Sequence, residues 1–480
     1  MLITCFLDPA PTMDHSHGVV FTPQSVATPE LDVAAFLDQP QLRYIRIYWV
    51  DFVNIRRCRI VPVAHFKALL KSNRPGVNIA KVCLGLIGLH VAPGFVPVGE
   101  YLYAIDLKSL RPCPFAPGHA AVLGQFEEKT PLAGTVAVEL CPRTLLRGVE
   151  SKIKTVHKTE FLVGFETEFI LLDKIDPVNP VNVHDWSASV GLLAGSREAL
   201  VLEEIGDAVT AAGISLQMIH AEAAPGQYEV VTGPLTPLAA ADALVYTREI
   251  IVQIAAKHGL HATFVPRPFM YSAGSSAHAH ISVHTANEQK SADGLSTHES
   301  QFLAGVLSHL RAIVALTLPT NASYKRMTDG VWSGGTYVNY GTENREAPIR
   351  LTNATSPASR NFEIRFVDGT ANPHLALAAI LAGGLLGFDA QQKLEMQDCP
   401  GPKSAAELTE QERLALGITT RMPLSVEEGQ KSLEEDGALK AVLGTEFVEK
   451  YLAVNRTLQT LLVNEADTED EALTRVVKFY

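Results

Sequence analysis

Paired cysteines are the first thing this 480-residue chain lacks. Its six cysteines (Cys5, Cys58, Cys83, Cys113, Cys141 and Cys399) include no C-x-x-C pair. That excludes a zinc ribbon and a disulfide framework, and it predicts reduced thiols in a cytoplasmic protein. Positive charge is also scarce: 40 basic residues against 52 acidic leave a net charge of −12. General binding to nucleic acid or to an anionic membrane is therefore not expected. Residues 375–388 are apolar but fall short of the roughly 20 needed to span a bilayer. Residues 82–99 lack formal charge, yet His90, Pro93, Pro97 and several glycines break them. The first residues carry no basic stretch before a short apolar run, so they read as a tail rather than a signal peptide. No internal repeat is present. Missing too are a G-x-x-x-x-G-K-[ST] loop and the HRD and DFG motifs, which excludes the two commonest phosphoryl-transfer scaffolds.

What is present is a globular composition, 47% apolar and 19% charged, in a chain long enough for two or three domains. Residues 1–35 form a loosely ordered tail. Residues 44–50 (YIRIYWV) and 59–63 (RIVPV) read as strands around the polar turn 51–57, and 102–110 as a further strand. The Pro/Gly cluster RPCPFAPG at 111–118 marks the boundary of a small β-rich domain, 36–118, before a larger one, 119–480. In the larger part, strands are expected at 161–172, 263–266, 278–284 and 361–367. A helix is expected over 236–258, with Thr236 as N-cap, Pro237 at the first position and Gly259 after the end. Residues 285–300 read as a polar loop, and the chain turns helical after Asn372-Pro373. Strands and helices without a regular βαβ period indicate an α+β fold.

Five short motifs carry chemistry. In GFETEF, Glu166 and Glu168 share one face of an otherwise apolar strand, roughly 7 Å apart at the base. Two anions so placed repel unless a cation sits beside them. In HAEAAPGQYE, the Pro225-Gly226 turn folds Glu222 toward Glu229. In GSSAHAHISV, alternation puts His278, His280 and Ser282 on one face behind a small-residue loop. In RNFEIRF, Glu363 and Arg365 share a face. Lys325, Arg326, Arg345 and Arg350 cluster within 26 positions of a net-acidic chain. Taken singly, each motif also suits a solvated face or a cross-strand ion pair. Together they set five carboxylates and a histidine among four cations. Oxygen-rich ligands point to Mg²⁺ or Mn²⁺ rather than zinc. Divalent cations with arginine forks suit a nucleoside triphosphate and an acidic substrate.

In this order, GFETEF, AEAAPGQYEV, FVPRP with GSSAHAHIS, NASYKR, ENREAPIR and RNFEIRFVDGTANPHLALAAILAGGL resemble the glutamine synthetase family, from about Tyr44 to the C-terminus. The resemblance implies a small N-terminal β-grasp domain followed by a large catalytic domain with a curved antiparallel sheet. It also implies a homo-oligomer of stacked rings, decamer or dodecamer, with active sites between subunits. By position, Glu168, Glu222 and Glu229 match the ligands of one metal, and Glu166, His278 and Glu363 those of a second. Arg326 and Arg365 match the arginines that hold the amino acid and its reacting carboxylate, with Gly274 beside them. Arg345 and Arg350 match nucleotide-phosphate arginines, with His280 and Ser282 on the nucleotide side. Asp51 matches an N-terminal aspartate that helps bind and deprotonate ammonium. The implied reaction uses ATP and two or more Mg²⁺ or Mn²⁺ ions, and it joins glutamate to an amine through an acyl phosphate.

Three positions depart from the family pattern. The flap glutamate that takes a proton from ammonium is replaced, to within one position, by Trp332, with Asp329 the only acid close by. The substrate-touching asparagine before Gly274 is Ala273. An arginine two positions before Glu363 is Asn361, with Arg360 adjacent as a substitute. An indole accepts no proton but can stack on an apolar amine, which favours an organic amine over ammonia. An ammonia-using enzyme relying on Asp329, and a non-catalytic structural or regulatory relative, are the other two readings.

Overall fold

The computed structural model describes residues 15–26, 31–186, 192–285, 290–291, 294–463 and 467–480. Most of the expected tail, and parts of the polar loop after Thr285, lie outside them. The tail residues that are described are anchored. His17 donates its backbone N–H to Ser356 Oγ at 2.9 Å, and its carbonyl accepts from Ser359 Oγ at 2.6 Å.

Two sheets organise the α+β fold. The first has six strands, in the order Arg56–Pro62, Tyr44–Val50, His119–Leu132, Glu100–Pro112 and Gly76–Ala80, with Thr135–Ala137 paired to His119–Leu132. Its centre is a parallel pair, Tyr44–Val50 beside His119–Leu132. The domain border expected at Gly118 is therefore wrong for this sheet, which continues to Ala137. The Pro/Gly cluster is a tight turn inside it rather than a linker. Cys113 N–H donates to the His119 carbonyl at 3.0 Å, and His119 N–H to the Ala116 carbonyl at 3.0 Å. The strand expected at 59–63 starts earlier, at Arg56, and Val63 instead opens a short helix, Val63–Leu69.

The second sheet has nine strands and carries the chemistry. Its spine is Thr159–Ile175, which pairs antiparallel with Gln227–Leu235 on one side and Ala279–Thr285 on the other. Asn361–Ile364, Ile349–Thr352 and Tyr340–Thr342 extend it. The strand expected at 263–266 lies two residues earlier, at His261–Thr263. The helix expected from Thr236 runs Pro237–Lys257, with Pro237 in its first turn and Gly259 at φ +69° just beyond it. The end of the expected polar loop is already a helix, Thr297–Thr317. Ser296 and Glu299 close a reciprocal capping box at its start.

Thr297–Thr317 is long and apolar enough to cross a membrane by length and composition. Here it is buried against Pro373–Asp389, backbone to backbone. A Cβ on Gly387 would lie 2.1 Å from the Gln301 carbonyl oxygen, and one on Gly305 2.3 Å from the Gly383 carbonyl oxygen. Gly387→Ala is therefore expected to destabilise the fold by about 1–3 kcal/mol despite its better helix propensity, measured by urea unfolding. The five cysteines among the described residues are free thiols.

The two sheets share their cores. Tyr48, Val50, Ala121 and Leu123 of the first sheet pack in one cluster with Val201, Ile205, Tyr246 and Ile250 of helices Arg197–Ala211 and Pro237–Lys257. A polar seam accompanies this contact: Tyr48 Oη donates to Glu249 Oε1 at 2.9 Å, and Arg56 pairs with Glu249 at 2.9 Å.

Candidate active site

The spine strand aims Glu166 and Glu168 into a cavity of about 80 Å³. Glu222, Glu229, Gly274, His278, Arg326, Trp332, Arg345 and Arg365 line the same space, together with Ala273. Cross-strand register brings these acids together. Glu229 stands directly opposite Glu168, and His220 opposite Glu229. The Pro225-Gly226 turn closes as expected, with Glu222 N–H donating to the Gln227 carbonyl at 2.9 Å.

Two clusters of acids and imidazoles result, each with ligand-capable atoms within 4.8 Å of one another. The first is Glu166, His280 and Glu363. The second is His220, Glu222 and Glu229. His278 Nδ1 lies 2.9 Å from Glu166 Oε2 and 3.4 Å from Glu363 Oε1, while His280 Nε2 lies 2.9 Å from Glu166 Oε1. The two imidazoles thus share one carboxylate, and His280 joins this cluster rather than standing apart from it. Glu168 bridges the two groups from a buried position. It accepts from Ser276 N–H at 3.0 Å, from Ser276 Oγ–H, and from Gln227 Nε2 at 2.7 Å.

Electrostatics separates the clusters. Burial opposes ionisation of Glu166, but His280 and His278 outweigh it and hold its carboxyl well below the usual range. Burial likewise opposes ionisation of Glu363, which Arg365 brings down to about 2. In the second cluster burial wins. It pushes Glu222 up to about 7 and Glu229 up to about 8, and the neighbouring carboxylates push the same way. His220, raised to about 9 first by its hydrogen bond to Glu229, is the local counter-charge. One imidazole does not balance this many acids.

Cations flank the cavity. Arg326 is 2% exposed, and burial pulls its guanidinium down to about 10. It meets the Arg365 carbonyl at 2.6 Å, Met327 Sδ at 3.0 Å and His278 Nε2 at 3.5 Å, while Asp368 and Glu168 attract it without forming an ion pair. Arg365 is ion-paired to Glu363 and donates from Nη2 to the Trp332 carbonyl at 2.7 Å. Arg350 bridges Glu343 and Glu363 from behind. Ser282 hydrogen-bonds His284 at 2.7 Å and does not line the cavity.

Three expected residues fall elsewhere. Asp51 is outside the cavity: its carboxylate accepts from Val53 and Ile55 N–H and pairs with Arg57 at 2.8 Å, closing a turn of its own. Burial raises it to about 6 against the pull of Arg57. Arg360 does not substitute at position 361. It points to the opposite strand face and pairs with Glu299 at 2.6 Å, while Asn361 Oδ1 meets His280 Nδ1 at 2.8 Å. Asp329 does not line the cavity, and Thr336 and Arg421 engage its carboxylate.

Four residues were missed. Gln227 shares a strand face with Glu229, so alternation points to it. Ser276 sits in the small-residue loop that was already singled out. Trp186 and Glu346 lie in irregular segments with no periodic signal. Trp186 lines the cavity and packs on Trp332, ring centroids 5.2 Å apart. Glu346 accepts from Gly330 N–H at 3.0 Å and from Trp332 N–H.

Comparison with known proteins gives a consistent result. Residues 139–471 match the glutamine synthetase catalytic domain. The chain is 37% identical over 426 residues to protein fluG of Emericella nidulans, covering 87% of this chain but only 46% of that protein. It thus spans about half the length of that relative. It is 34% identical to glutamine synthetase of Methanocaldococcus jannaschii, over 88% of this chain and 92% of that one. It is 31% identical to gamma-glutamylpolyamine synthetase GlnA3 of Streptomyces coelicolor, over 85% of this chain and 87% of that one. Among solved structures, a GmaS/ADP complex superposes with a TM-score of 0.75 at 25% identity, over 89% of this chain and 95% of that one.

Proposed function

Because this chain belongs to the glutamine synthetase catalytic-domain family, we propose that it is an ATP-dependent ligase joining the γ-carboxylate of glutamate to an organic amine. One observation carries the second half of this reading. The flap position holds an indole, and the nearest acids, Asp329 and Glu346, are engaged elsewhere. The name of one matched protein, gamma-glutamylpolyamine synthetase GlnA3, agrees with an acceptor other than ammonia.

The donor set fits divalent cations. Glu222 and Glu229 are crowded beyond what His220 neutralises, and such a set is short of positive charge, not of ligands. Glu168, Glu222, Glu229 and His220 would hold one ion, and Glu166, Glu363 and His278 or His280 the other. Mg²⁺ or Mn²⁺ there supplies charge neutralisation for the phosphates.

The chain's own residues do the rest. Arg326, buried and lacking a carboxylate partner, binds the carboxylate that is to react. A γ-carboxylate oxygen attacks the terminal phosphorus of ATP, and the bond from that phosphorus to the bridging oxygen breaks. Arg345 and Arg365 face the charge that develops on the transferring group. The amine nitrogen then attacks the acyl carbon, the carbon–oxygen bond breaks, and phosphate leaves as the nitrogen gives up a proton to it. Asp51 and a ring-shaped homo-oligomer belong to the same proposal, with a neighbouring subunit completing the site.

Purified protein given glutamate, ATP and Mg²⁺ is expected to release phosphate only with a suitable amine. Phosphate release with ammonium alone, or none across a broad amine panel, overturns the reading. Independently, saturating Mg²⁺ is expected to stabilise the fold by about 2–3 kcal/mol, as a rise in thermal midpoint that EDTA reverses.

A further inference from the structure

A second cavity, of about 530 Å³, lies behind the flap and shares no lining residue with the catalytic one. Its floor is one stripe of the helix Thr297–Thr317, where Ala304, Leu307, Ser308 and Arg311 recur at i, i+3, i+4 and i+7. At 1.5 Å per residue this stripe is about 10 Å long. Opposite it runs the segment 390–396, which leaves the helix Pro373–Asp389 with Gln391 at φ +47°. That wall is pinned at two points. Gln392 Nε2 donates to Ser308 Oγ at 2.6 Å, and Gln397 N–H donates to the Leu416 carbonyl at 2.9 Å. The groove is therefore built before any ligand arrives.

Its chemistry is mixed. Leu307, Val338, Leu394 and Met396 supply apolar surface. Three lining residues carry charge: Arg311, Lys393 and Glu395, a net of 2 − 1 = +1 in a chain of −12. Arg311 donates from Nη1 to the Arg421 carbonyl. Among the described residues no carboxylate pairs with Arg311 or Lys393. An arginine fork whose partner is a neutral carbonyl is open to an oxyanion, which it binds with two parallel hydrogen bonds.

The Arg311 end of the groove is also the base of the flap. Val338 lines the groove while Val331, Trp332 and Ser333 line the catalytic cavity, so one loop borders both. Segment 420–422 is sewn to that loop. Val338 N–H donates to the Thr420 carbonyl at 3.0 Å, and Met422 N–H to the Thr336 carbonyl at 2.9 Å. Arg421, between them, reaches Asp329 at 3.3 Å and Thr336 Oγ1 at 2.8 Å, with its guanidinium 5.0 Å from the Tyr337 ring. Arg311 thus grips the flap through the Arg421 carbonyl, and an oxyanion that takes its fork competes with that grip.

We propose that this groove is an effector site for an organic oxyanion, a carboxylate or phosphate head on an apolar tail of about 10 Å, and that its occupation loosens the flap. Arg311 takes the head, Lys393 adds charge at the rim, and the tail lies along Leu307 toward Ala304. The site stands independently of the ligase reading above, whereas its effect on glutamate rests on that reading.

Octanoate, octyl phosphate and the neutral octanamide are the probes. By titration calorimetry the better of the two anions is expected to bind with a Kd of about 0.1–1 mM, and octanamide at least about 10-fold more weakly. Arg311→Met should abolish that preference. Ser308→Phe, at an exposed position on the floor, blocks the tail without touching the Arg311 contact and should weaken the anion about 10-fold. The flap is read in two ways. The anion should shift Trp332 fluorescence, a change that W332F lacks. At saturation it should also raise the glutamate Kd about 5-fold, and saturating glutamate should raise the anion's Kd by the same factor. No anion binding, equal affinity for octanamide, or binding that neither variant weakens overturns the site. Binding that moves neither Trp332 fluorescence nor the glutamate Kd overturns the effect on the flap. Anion binding with the fluorescence shift, in a protein that binds neither glutamate nor Mg·ATP, upholds the effector site and overturns the ligase reading.

Discussion

Arg326→Met is expected to lower kcat/KM for glutamate by about 10²–10³-fold, equivalent to about 3–4 kcal/mol of transition-state stabilisation. The cause is visible in its surroundings. The guanidinium is 2% exposed and hydrogen-bonded to the Arg365 carbonyl, without a carboxylate against it. Asp368 and Glu168 attract the guanidinium without ion-pairing to it, so a bound carboxylate would complete its neutralisation. Folding free energy in the variant should stay within about 2 kcal/mol of the native protein, because a lost hydrogen bond and a lost desolvation penalty oppose each other. Steady-state kinetics with a urea titration separates the two effects. A variant that unfolds and loses activity in parallel would reduce Arg326 to a structural residue.

Glu229→Gln carries an equally large effect with an unusual sign in stability. Glu229 is 4% exposed and faces Glu168 across the strand pair, and it belongs to the crowded cluster with Glu222. Removing its charge relieves repulsion among buried acids. Without metal at neutral pH, the variant's thermal midpoint is expected at or above the native one. With Mg²⁺ the order reverses, because one ligand is missing. Amine-dependent phosphate release should fall by about 10³-fold. Scanning fluorimetry with and without Mg²⁺, run beside the phosphate assay, gives both answers. A variant that keeps the full Mg²⁺ shift would take Glu229 out of the ligand set.

The sequence was most legible where strands alternate. Glu166 with Glu168, His278 with His280, and Glu363 with Arg365 could be placed on common faces because the side-chain period of a strand is two. All of them converge on one cavity or directly behind it. The same alternation separates Asn361 from Arg360, which meets Glu299 on the far face. Legibility failed where the chain is irregular. Trp186 meets Trp332 across 146 positions (332 − 186), and no local pattern announces such a contact. It failed again at residues 111–118, because prolines and glycines mark a hairpin and a linker with the same letters. Only the pairing of His119–Leu132 with Tyr44–Val50 and Glu100–Pro112 distinguishes them.

The joint core of the two sheets bears on heredity. The segment that matches the catalytic family begins at residue 139, after the last strand of the first sheet. Yet helices Arg197–Ala211 and Pro237–Lys257 bury Val201, Ile205, Tyr246 and Ile250 against Tyr48, Val50, Ala121 and Leu123. Severed at that border, the excised piece would face water with an oily flank, and Glu249 would lose Tyr48 and Arg56. Shuffling that moves the recognisable enzyme portion into another gene must therefore carry residues 44–132 along as a chaperoning lid.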